Sequence, residues 1–311
     1  MKVSIIGAGN VGATAAMKIA AEGFVNEVVL LDVKEGVAEG KAMDIMQSLM
    51  MTDSNTIVIG TTGDYSKTAN SDVIVITSGV PRKPGMTREE LVGVNSKVMT
   101  MVLDGATKYS PDAIFVVVSN PMDTMTMMAV NYLGKENWTK VIGMGGILDT
   151  ARFKYNILMK LREKMPTACW EADEIECFVI GGHGDTTMVP LVEKATVNGK
   201  PLTSFFTNEE IADIVEKTMK GGAILTKMLG TSAWEAPAQG ICETVKMIAF
   251  DENYTVASSV YREDFDLCIG TLVNIGENGI TDMLIPTELS EDEKNKYADS
   301  VNAIRKVNEA L

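Results

Sequence analysis

The chain has 311 residues, 23% of them charged and 46% hydrophobic, with a formal net charge of −14. That length supplies core for two domains, and the acidic balance argues against nucleic acid or an anionic membrane surface as a partner, since both call for a basic face. No apolar run is long enough to cross a bilayer, and Met1-Lys2-Val3 opens no basic, apolar, cleavable leader, so a cytoplasmic location is expected.

In chain order, Val3-Ser4-Ile5-Ile6 is a short apolar run that stops at Gly7, and residues 10–21 carry small and apolar side chains at helical spacing. Residues 27–31 form a second run ending at Asp32, and similar runs recur at 56–59, 72–77, 114–118 and 141–142. Continuous apolar runs of this kind suit strands covered on both faces. Helical candidates lie between them at 36–51 and 88–109, the second expected to present Leu91, Val94, Val98, Met101, Val102 and Gly105 on one face. Strands alternating with helices predict a doubly wound parallel sheet of Rossmann type over residues 1–143. After about Gly143 the pattern changes to a long helix, an antiparallel region and helices at 208–229 and 236–248, which predicts a second, α+β domain over 144–311 for substrate and catalysis. Ser290 and Glu293 form a capping box before a last helix with Tyr297, Val301 and Ile304 along one face.

Cys169, Cys177, Cys242 and Cys268 are widely spaced and form no C-x-x-C pair, so reduced, packed thiols and no metal are expected. The methionines clustered at Met122, Met125, Met127 and Met128 read as adaptable core filling.

Gly7-Ala8-Gly9-Asn10-Val11-Gly12 is a G-x-G-x-x-G turn between a predicted strand and a predicted helix, and Asp32 stands twenty residues beyond Gly12 at the end of the next strand. In such a turn Gly7 permits the tight bend, Gly9 lets backbone approach a pyrophosphate, and Gly12 lets helix and strand pack closely. Asp32 would accept hydrogen bonds from ribose hydroxyls and repel a 2′-phosphate, which favours NAD over NADP. Thr77-Ser78-Gly79 and Asn120-Pro121 end two further strands on the cofactor edge of the sheet; Asn120 suits a nicotinamide ribose or a substrate oxygen, or a simple Asx turn.

The one histidine, His183, lies in Gly181-Gly182-His183-Gly184-Asp185, and its glycines are expected to let a ligand approach the ring. Arg82 and Arg88 bound a Pro- and Gly-rich basic segment that could act as a lid, and Asp149 and Arg152 would share one helix face. Arginine forks match carboxylates, though a structural ion pair explains Asp149 and Arg152 equally well.

Together these motifs resemble the lactate and malate dehydrogenases, most closely the lactate-dehydrogenase-like malate enzymes of bacteria, over essentially the whole chain. The resemblance implies an oxidoreductase of the tricarboxylic acid cycle that interconverts (S)-malate and oxaloacetate with NAD. It makes His183 the proton acceptor and donor, paired to Asp149, and places Arg82, Arg88, Arg152 and Asn120 on the substrate. Asn95 and Val118 join Gly7–Gly12, Asp32, Thr77, Ser78, Gly79 and Asn120 in the cofactor set. Arg82 stands where lactate enzymes carry glutamine, and a guanidinium closed over the methyl of pyruvate would lack its anion. A homotetramer, or a homodimer, is implied. Two departures stand out: Glu235 replaces an aromatic in Thr231-Ser232-Ala233-Trp234-Glu235-Ala236-Pro237, where Ala233 would be the small pocket residue, and Gly270-Thr271-Leu272-Val273 lacks a proline. The rival readings are a lactate dehydrogenase and, from another class, an NAD-dependent glycosidase-like hydrolase using Cys177 and His183.

Overall fold

The structure is a computed structural model that describes residues 1–80, 88–284 and 289–311, the side chains of Arg88 and Glu89 excepted. In the first half, β1 (Lys2–Ile6), α1 (Asn10–Glu22), β2 (Glu27–Asp32), α2 (Val37–Leu49), β3 (Ile57–Thr62), β4 (Val73–Ile76), α3 (Arg88–Tyr109), β5 (Ile114–Val117), α4 (Met122–Leu133) and β6 (Val141–Gly143) alternate. The six strands are parallel in the order β3-β2-β1-β4-β5-β6, so the chain reverses direction beside β1 and leaves a crevice between β1 and β4 at their C-terminal ends. The runs that read as fully covered strands are so in β4 and β5, where every residue is buried, whereas β3 lies at the sheet edge and leaves Ile57 exposed. Ser4, the polar residue within β1, meets the Ser71 hydroxyl at 2.7 Å and so is not left unpaired.

The second half comprises α5 (Gly146–Lys164), β7 (Ile175–Glu176), β8 (Val179–Gly181), β9 (Met188–Pro190), β10 (Thr196–Val197), β11 (Lys200–Pro201), α6 (Asn208–Leu229), α7 (Glu235–Phe250), β12 (Tyr254–Arg262), β13 (Leu267–Gly276), β14 (Gly279–Leu284) and α8 (Glu291–Asn308). Three of its strands, β7, β10 and β11, form a small separate antiparallel sheet, and the others extend the first sheet. β12 pairs with β6 at Ser259 and Gly143, so the parallel sheet continues through β12, β13, β8 and β9. The core follows the sheet across the expected division at residue 143: Ile241, Cys242, Val245, Val260 and Val273 pack in one cluster with Val3, Ile5 and Val28. The capping box of α8 forms as read, with the Ser290 hydroxyl accepting from the Glu293 amide and Glu293 from the Ser290 amide.

Three expectations change. The buried face of α3 is set by Val92, Met99, Leu103 and Ala106, together with Leu91 and Val102, whereas Val94 and Met101 are exposed. The covered stripe is rotated from the expected one and shares only Leu91 and Val102 with it, since apolar spacing does not say which side of a helix meets the sheet. β3 starts one residue later than its apolar run and extends to Thr62, through Gly60, where a Cβ would lie 2.2 Å from the Ala38 carbonyl oxygen of α2. Of the four cysteines, Cys169 is exposed, while Cys177, Cys242 and Cys268 are buried thiols as expected. Met122, Met125 and Met127 are buried core, as read.

Candidate active site

The glycine turn is shaped by what its residues lack. Gly7 has φ +116°, a conformation side chains disfavour, and a Cβ at Gly12 would lie 1.9 Å from the Gly7 carbonyl oxygen, so α1 sits against the turn only without one. A Cβ at Gly9 would meet nothing within 4 Å, so that residue faces open space. Gly9 caps α1 with no side-chain hydrogen bond, leaving first-turn amides for an anion. Asp32 fixes the turn by accepting from the amides of Ala8 (2.7 Å) and Lys34 (2.9 Å). These features fit a dinucleotide pyrophosphate.

Lys41, on α2, was not singled out from the sequence. Its Nζ donates to the Ala8 carbonyl oxygen at 2.7 Å, and so sets a cation directly beside the turn. No sequence spacing signals it, because α2 and the turn meet only through the βαβ crossover.

The neighbouring strand ends are stitched together by neutral groups. The Thr77 hydroxyl donates to the Gly7 carbonyl oxygen at 3.0 Å and the Ser78 hydroxyl to that of Ile6 at 2.6 Å, while Ser119 donates to Ser78. Asn95 of α3, 2% exposed, is committed to backbone: its Oδ1 accepts from Val80 and its Nδ2 donates to the carbonyl oxygens of Val80 and Asn120. Its amide therefore holds the segments that a cofactor would touch. Asn120 itself precedes Pro121 through a cis peptide bond.

A cavity of about 450 Å³ opens at these strand ends, lined by Val11, Thr77, Gly79, Val118 and Asn120 on one side and by His183, Met144, Leu148, Ala233 and Pro237 on another. Ala233 thus falls where the sequence placed it. Glu235 is exposed and accepts from the Trp234 indole N–H at 3.1 Å, so no buried charge results from its departure.

His183 Nδ1 lies 2.7 Å from Asp149 Oδ2, and the other Asp149 oxygen accepts from Arg152 at 3.0 Å. The Asp149 side chain is 3% exposed, so this is a largely desolvated trio. Desolvation pulls the imidazole's affinity for a proton down, but the charge and hydrogen bond of Asp149, helped by the charge of Asp123, outweigh it and leave the His183 pKa raised. Arg152 packs against Gly221 and Gly222 of α6, and its buried Nε has no partner among the described residues, a donor suited to an added carboxylate. It does not line the cavity as described.

The glycines flanking His183 have a role beyond the one expected. A Cβ at Gly181 would come within 2.5 Å of the Thr187 carbonyl oxygen, and one at Gly182 or Gly184 within 2.8 or 3.0 Å of the Thr187 hydroxyl. They let the turn close on Thr187, and Gly184 also lines the cavity beside the ring. The glycine that accommodates the histidine is Gly145, where a Cβ would lie 3.0 Å from the His183 Cβ. Sequence offers no signal for that contact across 38 residues.

Arg82 and the segment 81–87 lie outside the described residues, as does the side chain of Arg88. Cys177 is buried, its thiol donates to the Thr150 carbonyl oxygen at 3.9 Å, and burial pushes its pKa up to about 12.

A dinucleotide turn and a paired imidazole at the edge of one sheet are what proton-coupled hydride transfer requires, and the class they define is the NAD-dependent dehydrogenases. Residues 1–143 match the lactate/malate dehydrogenase NAD-binding domain, and residues 147–310 match the lactate/malate dehydrogenase alpha/beta C-terminal domain. The chain belongs to the lactate/malate dehydrogenase family. It is 51% identical to a malate dehydrogenase of Bacteroides fragilis over 314 residues, covering 100% of this chain and 97% of that one. The malate dehydrogenase of Salinibacter ruber superposes with a TM-score of 0.92 at 35% identity, over 100% of this chain and 97% of the other. A Cryptosporidium parvum lactate dehydrogenase bound to lactic acid and β-nicotinamide adenine dinucleotide superposes with a TM-score of 0.91 at 31% identity, covering 99% and 96% of the two chains. The fold is therefore common to both substrate classes, and the choice between them rests on side chains.

Proposed function

We propose that this chain is an NAD-dependent malate dehydrogenase in which His183 carries the proton and Asp149 orients it. The observation that carries the reading is the buried His183–Asp149–Arg152 trio beside the cofactor edge of the sheet, together with relatives named malate dehydrogenase at about half identity over the whole chain.

Gly7–Gly12, Asp32, Thr77, Ser78, Gly79, Asn95, Val118 and Asn120 would hold NAD, some by contact and others, such as Asn95, by fixing the backbone that makes it. NAD supplies the hydride acceptor, or as NADH the donor. During malate oxidation His183 Nε2 takes the hydroxyl proton while Asp149, bonded to Nδ1, fixes the ring's tautomer and stabilises the imidazolium. In the reverse direction the same imidazolium returns the proton to the forming alkoxide. Arg152 binds the carboxylate next to the reacting carbon through its fork. Arg88 polarises the carbonyl, and Asn120 stands beside the substrate oxygen. Arg82 takes the second carboxylate and so selects a four-carbon diacid over lactate.

The experiment is a comparison of NADH oxidation with oxaloacetate and pyruvate. A strong preference for oxaloacetate is expected, and Arg82→Gln should erode it by about 2–4 kcal/mol by removing a charge partner in a closed site. A preference of the wild type for pyruvate would overturn the substrate assignment.

We further infer a cytoplasmic homotetramer, or a homodimer, divided into a nucleotide domain over 1–143 and a substrate domain over 144–311. Exposed Met43, Met50 and Met51 at α2, and Ile224, Leu225, Met228 and Leu229 on α6, supply apolar surface of the kind that subunits cover. Native mass spectrometry reads the subunit number. Among the described residues no helix is long and apolar enough to cross a membrane.

A further inference from the structure

Two consecutive glycines, Gly221 and Gly222, stand in the interior of α6. Neither takes a left-handed backbone, and in a helix interior glycine costs stability relative to alanine, so the backbone gives no reason for the pair. The reason lies in what fills the space of the absent side chains. A Cβ at Gly221 would come 3.3 Å from Cδ and 3.7 Å from Nε of Arg152, and one at Gly222 would lie 3.6 and 3.7 Å from Nη2 and Nη1. The guanidinium of Arg152 therefore lies along bare helix backbone.

α6 is held at that height. One turn before the glycines, the fully buried Thr218 hydroxyl accepts from the Asn156 side-chain amide at 3.1 Å, and Asn156 stands one turn beyond Arg152 on α5. Ile211 and Ile214 of α6 share a core cluster with Phe153 and Ile157 of α5. Withdrawal of α6 therefore cannot make room for a methyl at Gly221. At 3.3 Å that methyl lies inside the roughly 3.5–4.0 Å of an unstrained carbon contact, so the Arg152 stem must yield. At Gly222 a methyl would rest on the guanidinium at ordinary contact distance.

The consequence falls on the free end of the arginine. Its Nη1 donates to Asp149 at 3.0 Å, while the buried Nε has no partner among the described residues. An arginine anchored at one corner and backed by a flat floor keeps its fork in one plane, with a donor left for an incoming carboxylate. Moving the stem tilts that fork, and bidentate pairing depends on the tilt.

We propose that Gly221 is a positioning residue for Arg152, with Gly222 completing the floor: the absence of side chains there sets the height and tilt at which the guanidinium meets the substrate carboxylate next to the reacting carbon. This rests on the reading of Arg152 as the group that binds that carboxylate.

Gly221→Ala and Gly222→Ala gain the same helix propensity and differ in the contact they make, so each serves as the other's control. For Gly221→Ala, kcat/KM with oxaloacetate should fall by about 5–30-fold, chiefly through KM, with NADH affinity by fluorescence titration within about twofold of wild type. Gly222→Ala should stay within about threefold of wild type in kcat/KM. In an Arg152→Lys background the further loss from Gly221→Ala should shrink to about twofold or less, because the fork it disturbs is already gone. The proposal is overturned, when Arg152→Lys alone is strongly impaired, by any of three results: wild-type kcat/KM in Gly221→Ala, equal losses in the two glycine variants, or an undiminished loss in the Arg152→Lys background. Should Arg152→Lys keep wild-type kcat/KM, the carboxylate reading of Arg152 fails instead, and the two failures are thereby told apart.

Discussion

The two sides of the cavity are made of different materials. At the glycine turn and the neighbouring strand ends, position is set chiefly by missing side chains and neutral hydrogen bonds, from Gly7, Gly9 and Gly12, the Thr77, Ser78 and Ser119 hydroxyls and the Asn95 amide, with the half-buried charges of Asp32 and Lys41 holding only the backbone of the turn. Around His183 it is set by buried charge: Asp149, Arg152 and Asp123. The difference follows from the tasks. A cofactor's diphosphate is bound much alike throughout a reaction and wants a fixed cradle of amides, whereas the acid–base group must be equally at home with and without a proton. The first side should therefore answer to changes in shape and the second to changes in charge and pH.

The sharpest way to break that contrast is His183→Asn, which keeps a polar side chain of similar reach but no titratable nitrogen. Its kcat should fall by about 10²–10⁴-fold while fluorescence titration shows NADH binding nearly unchanged. The same variant should also lose a pH-dependent part of the stability. The His183 pKa is raised in the folded protein, so its pairing contributes stability that is fully present below the unfolded-state value and is lost as pH rises through the folded one. The gap in melting temperature between wild type and His183→Asn should accordingly narrow across that window. A pH-independent gap would mean that the imidazole's surroundings do not favour its charge.

A smaller, opposite pattern is expected from Gly12→Ala. Its methyl would occupy the place of the Gly7 carbonyl oxygen, so the turn must shift, at about 1–3 kcal/mol in stability. The KM for NADH should rise by about tenfold or more, with the pH profile of kcat unmoved. An altered profile would erase the distinction between the two sides. Least affected should be Lys41→Met, which retains much of the stem but loses the cation beside the Ala8 carbonyl oxygen. A rise of about two- to fivefold in the NADH KM is expected, with the KM for oxaloacetate constant and partial rescue by Lys41→Arg.

The contrast also explains what could be read in advance. The parallel half was legible because its signals are local: an apolar run, a glycine turn and an acid twenty residues on reflect contacts between consecutive βα units. The trio around His183 was legible only as separate motifs, since Asp149 and His183 are 34 residues apart and meet through the β8 turn. Asp123, Gly145 and Thr187 carried no sequence signal at all. Asp123 reads as an ordinary first-turn acid of a helix, and only the tertiary structure sets it against an amide 60 residues away. The glycines beside His183 have a further cause that the sequence does not show, because a glycine also answers to whatever occupies the space of its absent side chain, and here that is Thr187. The covered face of α3 lies to one side of the expected one for a related reason: spacing tells which residues share a stripe, not which stripe meets the sheet.

The main sheet runs unbroken through both halves of the chain. β6 and β12 are paired at Gly143 and Ser259, and apolar residues from both halves interdigitate in a shared core. A cleft between two bodies joined by a hinge could shut by rotation; this molecule cannot rotate its halves without tearing strand from strand and opening its own interior. Adjustment to an arriving molecule is therefore expected in the short connecting segments at the sheet's edge.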